Sequence, residues 1–253
     1  MLLVFILMIG DEEMRIVREK MLYQLTFLPR FFPVNCYLVE EKDSLTLIDA
    51  ALPYSASGIL KAADQIGKPI TRIVFTHTHE DHIGAIDNVK KSLPNASVYM
   101  SQRDYRLFSG DLTLDSEEPQ NPIRGGIPKL GKISTEIDHF IEEESYIGSL
   151  APIFTPGHTP GSMSFLDQRT NALIAGDSFQ VRGGVAVSGQ LKPLFPFPAF
   201  GTWSKELALK SAEKLYELNP SLLAVGHGRI LSQPLKMMEK AIQQAKVKIE
   251  KRR

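Results

Sequence analysis

One cysteine, Cys36, stands in 253 residues, so the chain can form no internal disulfide. It must therefore be held together by its core, and such cysteine usage fits a reducing compartment, which gives a cytoplasmic expectation. Net charge is also missing: Lys plus Arg and Asp plus Glu number 29 each. No overall field draws the chain to nucleic acid or to an anionic membrane, and neither is expected as a partner. A membrane span takes about 20 apolar residues. The apolar opening, Met1 to Ile9, is too short, no basic segment precedes it, and Asp11, Glu12 and Glu13 follow where a signal peptide would be cleaved. Repeats, linkers and low-complexity stretches are absent too. The expectation is one domain over 21–253, with residues 1–20 an N-terminal extension of open character: a misassigned start, a loose segment or an added strand. Met14 and Met21 offer other starts, and a strand pattern becomes recognisable near Leu22.

What is present is ordinary globular material, 43% hydrophobic and 23% charged. Short β-branched and aromatic runs predict strands at 23–28, 36–40, 44–48, 70–75, 97–100, 146–154, 162–166, 172–175 and up to Val225. Helices are predicted from a cap at Ser55 or Ser57 to Gly67, over 83–92 and 102–108, and from Ser204 to about Leu218. A last helix shows Leu235, Met238, Ile242, Ala245 and Ile249 on one face, and its cations at 246, 248 and 251–253 read as a solvated end. Two stretches lack period, 109–137 and 183–201. A loop as long as the first is functional or disordered, so it is expected to be a lid, a homodimer contact or simply unstructured. Its cations Arg124 and Lys129 could meet an anionic substrate, although exposed loop cations usually have no specific role.

Three of the six histidines fall within six residues, His77, His79 and His82, with Asp81 between them. Imidazole and carboxylate suit zinc, iron and similar divalent ions. Positions two apart in an extended segment face the same way, so His77 and His79 can ligate one ion, and Asp81 and His82 can face a second where the chain turns toward a helix. A histidine-bearing surface turn is the plain alternative. Four ligand-type residues at this spacing, flanked by Thr76 and Gly84, argue against it.

The run Thr76-His77-Thr78-His79-Glu80-Asp81-His82-Ile83-Gly84 resembles the His-x-His-x-Asp-His signature of the metallo-β-lactamase superfamily. The resemblance extends over roughly residues 22–232 through His158 in a Gly-His-Thr-Pro-Gly turn, Asp177 in Ala-Gly-Asp-Ser, His227 between two glycines, and Asp49 at a strand end. It implies an α+β fold, the four-layer αββα sandwich. It implies two divalent ions, zinc first and iron or manganese also accepted: His77, His79 and His158 on one, Asp81, His82 and His227 on the other, Asp177 bridging. Asp49 would support the ligands from behind, and Asp81 would orient the nucleophile or take its proton. The implied reaction is cleavage of a small-molecule ester, thioester or lactone by a metal-bridging hydroxide.

Asp177 stands where the true β-lactamases carry another residue, which points to the glyoxalase II and lactonase branch. The rival expectations are a phosphodiesterase on the same site, a single-iron enzyme like the persulfide dioxygenases, and a non-catalytic binding module. The first rival keeps every ligand, the second leaves Asp81, His82 and His227 without purpose, and the third is at odds with a full ligand set. Phe31, Phe32, Phe195 and Phe197 lie in aromatic, proline-rich segments that read as an apolar substrate pocket or, equally, as core packing. His139 matches no motif and reads as structural or solvated.

Overall fold

The computed structural model describes residues 3–9 and 12–251, with side chains from Met14 onward. Parts of the 1–20 extension (Met1, Leu2, Gly10 and Asp11) and the tail cations Arg252 and Arg253 lie outside the described residues. Eight strands form one sheet in chain order: β1 (Leu3–Ile9), β2 (Glu12–Glu19), β3 (Leu22–Phe27), β4 (Val34–Glu40), β5 (Leu45–Ile48), β6 (Ile70–Val74), β7 (Ser97–Met100) and β8 (His139–Phe140). They run antiparallel up to β5 and parallel from there on. After β9 (Leu150–Phe154), β10 (Met163–Asp167) and β11 (Ala172–Ile174), the ribbon β12 (Phe179–Gln180) and β13 (Ala186–Val187) intervenes. Then β14 (Leu222–Ala224) and β15 (Leu231–Ser232) complete a second sheet in the order β15-β14-β11-β10-β9. The helices are α1 (Ala56–Ile66), α2 (Glu80–Ile83), α3 (Ile86–Ser92), α4 (Gln102–Phe108), α5 (Phe197–Gly201), α6 (Lys205–Glu217) and α7 (Leu235–Glu250). Among the described residues, no helix is long and apolar enough to cross a membrane.

Successive strand residues point to opposite faces, and the central strands are apolar on both. Leu38, Leu47 and Ile73 pack with Ile59, Ala62 and Val89 of α1 and α3, while their neighbours Tyr37, Val39, Ile48 and Val74 pack with Phe165, Ile174 and Ala224 of the second sheet. On that sheet's far side, Leu173, Leu223 and Val225 meet Ala212 and Leu215 of α6 and Met238 and Ile242 of α7. Three apolar layers between four structural ones make the αββα sandwich expected for this chain, with mixed sheets of the α+β class.

Strands begin earlier than the pattern suggests. In β2, Met14 and Ile16 are buried in the first core, while Arg15 interrupts the apolar run and Arg18 reaches Glu40 at 3.1 Å. The helix expected over 83–92 is two pieces, α2 and α3. Between them the Gly84 N–H donates to the Ala51 carbonyl at 2.8 Å rather than back along the helix, and a Cβ at Gly84 would sit 2.8 Å from that same oxygen. Segment 109–137 has no strand or helix but is tied down, by Arg103 to Glu118 at 2.7 Å, Arg106 to Asp115 at 2.8 Å and Thr135 to Asp87 at 2.6 Å.

The parallel pairs β5–β6 and β11–β14 put four strand C-termini at one edge of the sandwich. Asp49 follows β5, His77 and His79 follow β6, Asp177 follows β11 and His227 follows β14, while His158 follows β9.

Candidate metal centre

The seven ligand-type side chains meet between the two sheets at this edge. His77, His79 and His158 form one group whose candidate ligand atoms lie within 4.8 Å of one another; His77, His82 and Asp177 form a second, and Asp81, His82 and His227 a third. Asp177 sits centrally, with Oδ1 3.5 Å from His82 Nε2 and Oδ2 3.4 Å from His158 Nε2 and 3.2 Å from His227 Nε2. His227 Nε2 also faces Asp81 Oδ2 at 3.4 Å. Gly226 permits this approach, since a Cβ there would fall 2.1 Å from Asp177 Oδ1.

Each imidazole is fixed through its other nitrogen. His82 Nδ1 donates to Asp49 Oδ2 at 2.7 Å, His227 Nδ1 to the Pro33 carbonyl at 2.8 Å and His79 Nε2 to the Arg124 carbonyl at 2.9 Å. His158 Nδ1 meets the Ser188 hydroxyl at 3.0 Å. Thr76 donates its hydroxyl to Asp49 Oδ2 at 2.8 Å, which leaves the Thr76 oxygen to accept from His77 Nδ1 at 3.0 Å. Asp49 thus orients His82 directly and His77 through Thr76, from a left-handed backbone, φ 60°, that aspartate tolerates. These outer bonds set the tautomers and leave Nε2 of His77, His82, His158 and His227, and Nδ1 of His79, facing inward. His77 Nε2, His82 Nε2 and Asp177 Oδ1 are buried without any hydrogen-bond partner. Orphaned polar atoms carry a desolvation cost. Three in one cluster, of imidazole and carboxylate type, fit a divalent cation such as zinc, iron or manganese.

The electrostatics divide the cluster. Burial, reinforced by His82, holds His77 well below the usual histidine value, and burial takes His158 down to about 3. Burial also acts against charge on His82, but the Asp177 and Asp49 carboxylates outweigh it and carry that imidazole up to about 10. His227 is raised against burial by Asp177, and Asp177 itself is held well below its usual value, against burial, by His227 and His82. Without metal, the carboxylates around these rings favour the charged form of His82 and His227.

A cleft of about 440 Å³ opens onto the cluster, lined at its base by His79, Asp81, His158, Asp177 and His227 and on its walls by Phe32, Leu52, Pro53, Phe197, Pro198 and Phe200. Of the aromatics singled out in the sequence, Phe32 and Phe197 line the cleft, with ring centroids 4.9 Å apart. Phe195 is buried behind them and packs on the His227 ring at 5.3 Å. Phe31 is placed differently from the expectation: it is 83% exposed and outside the cleft, because its neighbour Phe32 takes the inward direction. His139 stacks on Tyr99 at 4.7 Å, apart from the cluster.

Several participants escape sequence reasoning. The buried Asp104 carboxylate accepts from Thr78 N at 2.8 Å, Gly161 N at 2.8 Å and the Thr159 hydroxyl at 2.9 Å, tying the His77–His79 turn to the His158 turn. Its only mark in the sequence is the spacing from Ser101, whose hydroxyl caps α4 through the Asp104 N–H. The 109–137 segment contributes the Arg124 carbonyl and Gly125, where a Cβ would lie 2.2 Å from His79 Nε2. Backbone contributions of this kind leave no residue-type signature.

The chain is 56% identical to YobT of Bacillus subtilis (strain 168) over 233 residues, covering 92% of this chain and 99% of that protein. It is 31% identical to the same organism's YflN, a probable metallo-hydrolase, over 77% of this chain and 80% of that one. A metallo β-lactamase structure from Erythrobacter litoralis, solved with β-mercaptoethanol in its active site, shares the fold at 16% identity with a TM-score of 0.66, covering 96% of this chain and 99% of that one. The family profile described as Metallo-beta-lactamase superfamily matches residues 29–227, a stretch that runs from just before Phe32 to the last histidine of the cluster. The chain belongs to the metallo-beta-lactamase superfamily, as a metal-dependent hydrolase.

Proposed function

We propose that the chain is a dinuclear hydrolase that cleaves a small-molecule ester, thioester or lactone. The observation that carries this reading is the shared carboxylate: Asp177 presents Oδ1 toward His82 and Oδ2 toward both His158 and His227. On this reading His77, His79 and His158 hold one divalent ion, zinc in the first instance, Asp81, His82 and His227 hold the other, and Asp177 joins them. When bound, such ions bring the pKa of water toward neutrality and stabilise charge developing on a carbonyl oxygen.

The chain's own residues do the rest. The outer bonds from Asp49, Thr76, Pro33, Arg124 and Ser188 hold the ligand atoms oriented before substrate arrives. Asp81, on the cleft base, has two carboxylate oxygens and can ligate with one while the other takes the nucleophile's proton. Phe32, Phe197 and Pro198 receive the acyl part and keep water from it. An aspartate at 177 supports the glyoxalase II and lactonase branch over antibiotic hydrolysis. The single cysteine and balanced charge support a cytoplasmic enzyme acting on a small molecule, with no nucleic-acid or membrane partner. The test is elemental analysis of protein purified without added metal, followed by assay on esters, thioesters, lactones and phosphodiesters. Two divalent ions per chain, with chelator-sensitive turnover of one acyl class, are expected; a single iron with oxygen uptake would overturn the assignment.

A further inference from the structure

Behind one wall of the catalytic cleft lies a second cavity of about 610 Å³ that the proposed chemistry does not use. It is shaped by Arg124 from the long loop, Lys205 at the start of α6, and Lys248 and Lys251 at the end of α7, with Leu191 and Phe200 as its apolar side. None of its lining residues among those described is acidic. In a chain with equal numbers of cations and anions, Arg124, Lys248 and Lys251 around one cavity, with no acidic residue among its described lining residues, are a local excess of positive charge. That excess is felt nearby: burial and the ammonium groups of Lys248 and Lys240 together hold Lys192 below the usual lysine value. Like charges that repel and line a concave surface are stabilised by an anion.

The cavity is physically joined to the metal centre. Phe200 lines both spaces. Arg124 contributes its side chain to the second cavity while its carbonyl accepts from His79. Gly125, next to it, lines the catalytic cleft, as does Gly201 at the end of α5. A molecule with its reacting carbonyl at the metals would need only to pass Phe200 to place a charged group among the lysines.

We propose that this second cavity is an anion site that takes a phosphate-class group carried by the substrate, so that the substrate is an acyl compound with a phosphorylated arm. Guanidinium and ammonium groups are the usual partners of phosphate oxygens, and Leu191 and Phe200 offer a surface for the carbon skeleton between the two ends. This rests on the acyl-hydrolase reading above for its reacting end and on the basic cavity for the other.

Adenosine 3′,5′-bisphosphate is the probe, titrated by calorimetry into the metal-loaded protein and into K248Q/K251Q. One site per chain is expected in the parent protein, weakened at least tenfold in the variant and weakened in both by added salt. No binding, or equal binding in both proteins, would overturn the site, the latter by placing the probe at the metals. The second arm compares turnover of an acyl thioester of coenzyme A with that of the same acyl group on uncharged N-acetylcysteamine. The variant should lose kcat/KM at least tenfold for the first and leave the second unchanged. Binding of the probe with neither thioester sensitive to the variant would make the cavity a site for a free anion and overturn the phosphorylated arm. Should no acyl compound be turned over by either protein, the acyl-hydrolase reading and the arm fall together, while the calorimetry still decides whether the cavity binds the anion.

Discussion

The base and the walls of the catalytic cleft are built on opposite principles. At the base, His77, His79, His82, His158 and His227 are each at most 4% exposed, and each has one nitrogen bonded outward and one aimed inward. On the walls, Phe197 and Phe200 are 53% and 61% exposed and are placed by packing alone. The base is over-determined, so its chemistry is fixed by the fold. The walls tolerate replacement, and the identity of the substrate can change there without disturbing the ligands.

If that contrast is real, effects on turnover should shrink from base to wall. Asp177→Ala removes the carboxylate both halves share, and bound metal should fall below two per chain with turnover reduced at least about 100-fold; elemental analysis with circular dichroism to confirm folding reads this out. Asp49→Asn leaves every ligand in place but weakens the hold on His82 and, through Thr76, on His77. A loss of about 10–100-fold in metal affinity is expected by competition with a chromogenic chelator.

Proton competition gives the third effect. His82, carried up to about 10, and His227, also raised, must lose their protons to bind metal, so apparent metal affinity should fall as pH falls. The stability of the metal-free protein runs the other way. A histidine raised on folding contributes stability that is fully present below its unfolded value of about 6.5 and is lost as pH rises through the folded one. Thermal unfolding of the chelated protein should therefore show a melting temperature that drops between pH 7 and 10, and a flat profile would contradict the charge arrangement around Asp177. The smallest effects on turnover belong to the wall and to the ring packed behind it. Phe195→Ala, at a buried ring, should cost about 3–5 kcal/mol of stability. Phe197→Ala should leave stability within about 0.5 kcal/mol and raise KM for an apolar acyl substrate with kcat little changed. Equal stability losses from the two replacements would erase the distinction between support and wall.

How far the sequence foretold this follows the same division. The His77-to-His82 spacing and the strand ends before Asp49, Asp177 and His227 are properties of residue type and order, and these residues do converge. The layers were legible for a related reason, since apolar residues on both faces of a strand require cover on both sides. Which of Phe31 and Phe32 turns inward depends on how the chain enters β4, and residue type carries no sign of it. Asp104 was invisible because its partners are two backbone amides and a hydroxyl far along the chain. The β1–β2 ribbon was obscured because charged residues such as Arg15 and Arg18 sit among its apolar ones.

The distribution of the ligands between the sheets bears on the order in which the molecule is made. His77, His79, Asp81 and His82 leave the ribosome early, with the first sheet largely in hand, but His158, Asp177 and His227 belong to the second. More than half of the chain must still be synthesised after His82 before the last ligand emerges. A nascent or truncated chain therefore carries only part of the ligand cluster, and metal bound by the completed cluster would clasp the early half of the polypeptide to the late one.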